Sequence, residues 1–180
     1  MRLFISITVP KELEDYCRQI QRRFPGMKNV DEFHLTVQFL GDNIGENFLP
    51  RITDALKSIT FEPFEIKLGE ARKFPSEFRP NGVWIDCDGG DALRDLADRI
   101  RKAMDKIGFR PDKPFAAHIT LGRYKKPPVP EIQKRGSRLQ LIATPQKEKK
   151  TFLVDRFYLM QSQLTPEGPE YKNLAEFPTA

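Results

Sequence analysis

The sequence predicts a mixed helix-and-strand domain built as two similar lobes that face each other across a groove. Three observations predict it. Strand-like and helix-like stretches alternate along the chain. Each half offers an amphipathic helix and a strand carrying His-x-Thr between apolar residues, a faint internal repeat. No low-complexity linker separates the halves, so the 180 residues suit one domain spanning 1–180, made of two closely packed lobes.

The elements follow in order. Residues 3–9 are short and rich in β-branched side chains, hence a strand. Pro10 opens a helix whose apolar stripe is Leu13, Tyr16, Cys17, Ile20 and Phe24, and Pro25-Gly26 ends it. Residues 33–40 alternate as a strand, with Phe33, Leu35, Val37 and Phe39 on one face and His34, Thr36 and Gln38 on the other. Gly41-Asp42 marks a turn, and Phe48, Leu49, Ile52, Leu56 and Ile59 form the stripe of a second helix. Strands are expected near 62–73 and 82–88. A third helix starts at Asp91 as N-cap, buries Leu93, Leu96, Ala97, Ile100, Met104 and Ile107, and stops at Gly108. The second His strand covers 117–124. A basic, Pro/Gly-punctuated loop spans 125–138, and strands are expected over 151–161 and near 171–176.

Composition narrows the function. Hydrophobic residues at 39% and charged residues at 31% read as soluble and globular. No apolar run can span a bilayer, and the first ten residues lack a signal-peptide pattern, so the cytoplasm is the expected compartment. A net charge of +5 permits an RNA partner without demanding one. Cys17 and Cys87 are too few for a disulfide framework or a thiolate metal site, and both fall at core positions.

His34-Leu35-Thr36-Val37 and His118-Ile119-Thr120-Leu121 contain the only histidines of the chain. On a strand, residues two apart share a face, so each segment sets an imidazole beside a hydroxyl. Threonine makes up nine of the 180 residues. Two chosen positions would then both be Thr about once in 400 trials. The residue types suit acid–base displacement at phosphorus. One imidazole can be neutral while the other is charged near neutral pH. The hydroxyls can donate to oxygens on which charge develops. No P-loop or Gly-x-Ser-x-Gly signature is present, and two lone histidines make a poor zinc site, so neither cofactor nor metal is expected.

His34 to Gly41 and Phe115 to Arg123 resemble the two signatures of the 2H phosphoesterases. Within that superfamily the chain is similar to the bacterial and archaeal RNA 2′,3′-cyclic phosphodiesterases, historically called 2′-5′ RNA ligases. Phe74-Pro75-Ser76, Val83-Trp84 and Gln161 to Tyr171 extend the likeness nearly end to end. The resemblance implies the α+β class: a bilobal, pseudo-symmetric fold of two antiparallel sheets flanked by helices, with a central cleft. It implies hydrolysis of an RNA-terminal 2′,3′-cyclic phosphate to a 2′-phosphate without metal or nucleotide. His34 would protonate the leaving 3′ oxygen, His118 would activate water, and Thr36 and Thr120 would bind phosphate oxygens. Two departures stand out: Ala117 replaces the usual proline, and Gln38 stands where a basic residue is frequent.

Arg123 matches a recurrent family arginine that could clamp phosphate, yet strict alternation puts it on the face opposite His118 and Thr120. It reaches the site only if the strand bends or bulges. Phe39 is expected in the core. Trp84 shares a face with Asp86 and is a candidate for stacking on a base. Lys125, Lys126, Lys134, Arg135 and Arg138 could form a basic rim. Two other readings stay open: a 2′-5′ ligase of tRNA halves using the same site, and a non-catalytic module that holds RNA 3′ ends. A monomer is expected.

Overall fold

The structure, a computed structural model, describes residues 1–126, 150–166 and 168–179. The basic residues Lys134, Arg135 and Arg138 lie outside these; Lys125 and Lys126 are exposed. In chain order the elements are β1 (Arg2–Thr8), α1 (Lys11–Gln21), β2 (Lys28–Asn29), β3 (His34–Gly41), α2 (Leu49–Lys57), β4 (Phe64–Phe74), β5 (Gly82–Asp88), α3 (Gly90–Lys106), β6 (His118–Arg123), β7 (Thr151–Val154), β8 (Arg156–Leu164) and β9 (Pro169–Pro178). A 3-10 turn, Glu46–Phe48, leads into α2.

The α+β class holds: the described residues form an antiparallel sheet and three helices. Strands run β7-β4-β5-β6-β3-β1-β8-β9, and β2 pairs with β6. The two sheets expected for the two halves meet at β3–β6 through the single pair Leu35↔Ile119, so hydrogen bonding makes them one nine-stranded sheet. On each side of that seam the units match: β1-α1-β3 in one half and β5-α3-β6 in the other. Each helix packs across the seam, α1 against β6 and α3 against β3.

The core lies between the helices and one face of the sheet. Leu3, Ile5, Leu35, Ile85 and Ile119 are fully buried there, as are Leu56 of α2 and Ile100 of α3. Burying such side chains supplies roughly 1.5–3 kcal/mol each, the main drive for holding the halves together. Two buried amides fasten the seam. Gln21 of α1 donates to Leu121 O and Val30 O at 2.8 Å, and Gln38 of β3 donates to Phe109 O, just beyond α3, at 2.7 Å.

Three element expectations change. Residues 151–161 form two strands, β7 pairing with β4 and β8 with β1, because Asp155 carries the chain from one half to the other. Asp91 lies inside the first turn of α3, whose N-cap is Gly89. Phe39 and Gln38 also exchange faces. Thr36 faces Ser6 but Gln38 faces Ile5, which leaves Val37 as an extra residue, a β-bulge. Val37 and Gln38 are therefore both buried, and Phe39 turns to the side of His34 and Thr36.

The same device acts in β6. Thr120 faces Trp84 but Gly122 faces Val83, so Leu121 is the extra residue. Leu121 and Gly122 are both buried as a result. Gly122 is required by close approach. A Cβ there would stand 2.7 Å from Met27 Sδ and 2.8 Å from Lys28 O, in the short strand pinned against the bulge. Gly122→Ala is expected to destabilise the fold by about 1–3 kcal/mol, as overpacking against backbone does. Chemical denaturation measures it, and an unchanged midpoint would contradict the close fit.

Candidate active site

The helix-free face of the sheet gathers the polar residues. Leu35 and Ile119 point into the core from their shared pair, so His34, Thr36, His118 and Thr120 all point to the other side. Continuing the register by one residue each way sets His34 level with Thr120, and Thr36 level with His118. Each imidazole thus lies near the hydroxyl of the opposite motif as well as its own.

The bulge at Leu121 decides the place of Arg123. Arg123 faces Gly82, Thr120 faces Trp84 and His118 faces Asp86. Gly82, Trp84 and Asp86 alternate along β5 and share one face, so their three partners do too. Arg123 consequently joins the histidine face. Its guanidinium lies over the Phe74 ring at 5.5 Å, within cation–π range. Among the described residues no carboxylate is within ion-pair distance of it.

The two histidines have different surroundings. His118 Nδ1 is 2.7 Å from Ala116 O. Because a carbonyl only accepts, Nδ1 carries the proton and Nε2 keeps the lone pair of the neutral ring. The His118 ring packs on Trp84, centroids 4.2 Å apart, and Trp84 stacks on Phe74 at 4.5 Å. Trp84 is therefore held between Phe74 and His118 and backs the imidazole instead of presenting a free face to a base. Asp86, the cross-strand neighbour of His118, is ion-paired to Arg72 at 2.6 Å. His34 sits among aromatic rings, 5.0 Å from Phe4 and 5.0 Å from Tyr171, which meets it edge-on.

Both imidazoles titrate below their ordinary value. Burial lowers His34 to about 4, and the charge of His118 adds to the effect. Burial also lowers His118; the Ala116 carbonyl pushes it back up, Arg123 lowers it and Asp86 raises it. Burial thus favours the neutral ring at both positions, beside the Arg123 guanidinium. Cys17 and Cys87 are pushed by burial up to about 12, which fits inert core thiols. Among the described residues no group of three or more His, Cys, Asp or Glu side chains is placed to hold a metal ion. Two depressions of about 400 and 380 Å³ lie elsewhere, one between α2 and α3 and one beside Arg94 and Phe115; neither touches a histidine. His34 and His118 are both partly exposed on their face of the sheet.

The model of the 2′-5′ RNA ligase superfamily matches residues 3–165. The chain belongs to that superfamily. A curated relative from Archaeoglobus fulgidus, named RNA 2′,3′-cyclic phosphodiesterase, is 35% identical and covers 98% of this chain and 99% of its own. Relatives of the same name from Methanothermobacter thermautotrophicus and Thermotoga maritima are 30% and 32% identical, each over 98% of this chain. A crystal structure from Thermus thermophilus superposes with a TM-score of 0.79 at 28% identity, covering 99% of this chain and 97% of its own. E. coli LigT complexed with 3′-AMP shares the fold, with a TM-score of 0.77 at 22% identity over 99% of this chain and 97% of that one.

Sequence reasoning named both histidines and both threonines of this face and missed Phe4, Tyr171, Asp86 and Arg72. Asp86 carried one signal, its shared face with Trp84. Tyr171 closed the segment Gln161 to Tyr171 that extends the family likeness, but its place beside His34 depends on the register of β9 against β8. The two charges beside His118 act in opposite senses. Asp86→Asn is expected to lower its titration midpoint and Arg123→Gln to raise it, read by NMR of the two imidazoles. Shifts of the same sign would place one of these residues away from the site.

Proposed function

We propose that the protein is an RNA 2′,3′-cyclic phosphodiesterase that opens a terminal cyclic phosphate to a 2′-phosphate by two-histidine acid–base catalysis. The observation that carries this reading is the pairing of two imidazoles and two hydroxyls on one open face, with Arg123 turned toward them by a bulge. The names of the full-length relatives support the substrate class. One domain over 1–180, acting as a monomer in the cytoplasm on RNA ends such as tRNA halves, completes the proposal. Among the described residues no helix is long and apolar enough to cross a membrane.

The reaction follows from the arrangement. The cyclic phosphodiester seats between the histidines, with Thr36 and Thr120 donating to its non-bridging oxygens and Arg123 facing their charge. Nε2 of His118, left with a lone pair by the Nδ1–H bond to Ala116, takes a proton from water as its oxygen attacks phosphorus. The bond from phosphorus to the 3′ oxygen breaks, and His34 in its protonated form delivers a proton to that oxygen. The products are a 2′-phosphate and a 3′ hydroxyl. His34 at about 4 is mostly neutral in the free protein, so the phosphate anion must favour its charged form on binding. With a 5′ hydroxyl in place of water, the same groups in the same roles would join that hydroxyl to the phosphorus through a 2′-5′ linkage, again breaking the bond to the 3′ oxygen. That accommodates ligation of tRNA halves as a second activity of one site.

Purified protein is expected to open the cyclic phosphate of a short oligonucleotide in EDTA, yielding the 2′-phosphate. Replacing His34 or His118 with Ala should reduce turnover about 10²–10⁴-fold, the usual loss of a positioned proton-transfer group. Binding without product in the wild type would favour the end-holding module. Full activity in either variant would refute the mechanism. Both free imidazoles titrate below 6.5, so the bell-shaped profile of kcat/KM should peak below that pH. The bound phosphate raises both midpoints, so the kcat profile should lie at higher pH than that of kcat/KM. Profiles in the opposite order would show that the anion does not sit beside the imidazoles.

A further inference from the structure

The two bulges give the halves a second correspondence. Three residues beyond Thr120 stands Arg123; three residues beyond Thr36 stands Phe39. Both are turned to the histidine face by the extra residue before them. On the β6 side the guanidinium of Arg123 lies over Phe74. On the β3 side the guanidinium of Arg2 lies over Phe39, 4.6 Å from the ring centroid. β1 is regular against β8, so Arg2, Phe4 and Ser6 share a face, and Phe4 is the residue that packs on His34. Each half therefore seats one arginine on one aromatic ring beside its His-x-Thr motif. The Tyr171 phenol, raised chiefly by burial and further by Glu32, is pulled down by Arg2 and Arg123 alike, which sets both charges around it.

Arg123 is the arginine assigned above to the cyclic phosphate, which leaves Arg2 without a role there. We propose that Arg2, seated on Phe39, forms a second anion subsite that takes the phosphodiester on the 5′ side of the terminal nucleotide, so that the protein prefers an oligonucleotide end to a mononucleotide. The inference rests on the cyclic-phosphate reading above. The chemistry suits it. A guanidinium seated over a ring still has N–H groups to offer phosphate oxygens. Arg2 is ion-paired with Asp42, whose side chain is 58% exposed. A pair so open to solvent is held weakly, and a phosphate can replace it.

The test compares a mononucleoside 2′,3′-cyclic phosphate with a short oligonucleotide bearing the same end, in wild type, Arg2→Gln, Arg2→Lys and Asp42→Asn. Arg2→Gln should cut the KM preference for the oligonucleotide about tenfold and reduce its salt dependence by roughly one phosphate contact. Arg2→Lys should restore part of the preference, and Asp42→Asn, which frees the guanidinium, should keep or increase it. An equal loss on both substrates, or an Asp42→Asn variant that copies Arg2→Gln, would overturn the subsite and leave a structural ion pair. Equilibrium binding of the 2′-phosphorylated oligonucleotide and mononucleotide is measured on the same samples. It scores Arg2 whether or not turnover occurs, so absent hydrolysis would count against the proposed activity alone.

Discussion

One backbone pairing organises the molecule: Leu35 with Ile119, the only pair that joins β3 to β6. Both side chains are fully buried, so the register is pinned by the core beneath it. A slip of one residue would turn every side chain of one strand over, driving a histidine and a threonine into apolar packing. The helices guard against that slip by crossing the seam, α1 onto β6 and α3 onto β3, with Gln21 and Gln38 bonded to carbonyls of the opposite half. The groove is therefore made of two halves that cannot shift independently without exposing core.

The bulges adjust what that pairing presents. A regular strand would set Gln38 and Gly122 on the histidine face after the two threonines. An extra residue after each threonine turns those two inward and brings the next side chain to that face instead: Arg123 in β6, Phe39 in β3. Bulges near sites commonly re-aim a side chain in this way. Here the sterics are visible. Gly122 sits against Met27 and Lys28 where no Cβ fits, and Gly82 faces Gly122 O so closely that a Cβ would stand 2.4 Å from it. Two glycines and a two-residue strand thus hold the geometry that brings a guanidinium to the site.

Much of this was legible in the chain itself. The elements, the repeat of helix and His strand, and the four residues of the two motifs follow from apolar periodicity, which reports burial directly. The faces of Gln38, Phe39 and Arg123 did not follow from strict alternation, because a bulge is set by the partner strand. Gln38 illustrates the point. Read by period two it stands beside the histidines, at a position where relatives frequently carry a basic residue. In the fold it is buried at 4% exposure and serves a backbone carbonyl beyond α3. Tyr171 and Phe4 reach His34 through the curl of the sheet, which no local pattern encodes. Trp84 looked open to a base because its neighbours Phe74 and His118 come from two other strands.

In the proposed reaction a near-symmetric frame has to yield two unlike imidazoles, since one group gives a proton while the other takes one. The repeat alone would make them equal. What separates them lies outside the motifs. His118 has a carbonyl that fixes its tautomer, a carboxylate across the strand and a guanidinium near by, so its proton affinity is set by several opposed charges. His34 has rings on its flanks and, among the described residues, the other histidine as the charge that adds to burial, so burial dominates and its free ring is the more reluctant to charge. A ring in that setting gains most from an anion entering the groove, because little else there stabilises its protonated form. The proposed acid is thus the histidine whose charge depends on substrate. In the empty groove it holds a proton only at low pH, and it becomes competent to protonate a leaving oxygen when a phosphate is present to need it.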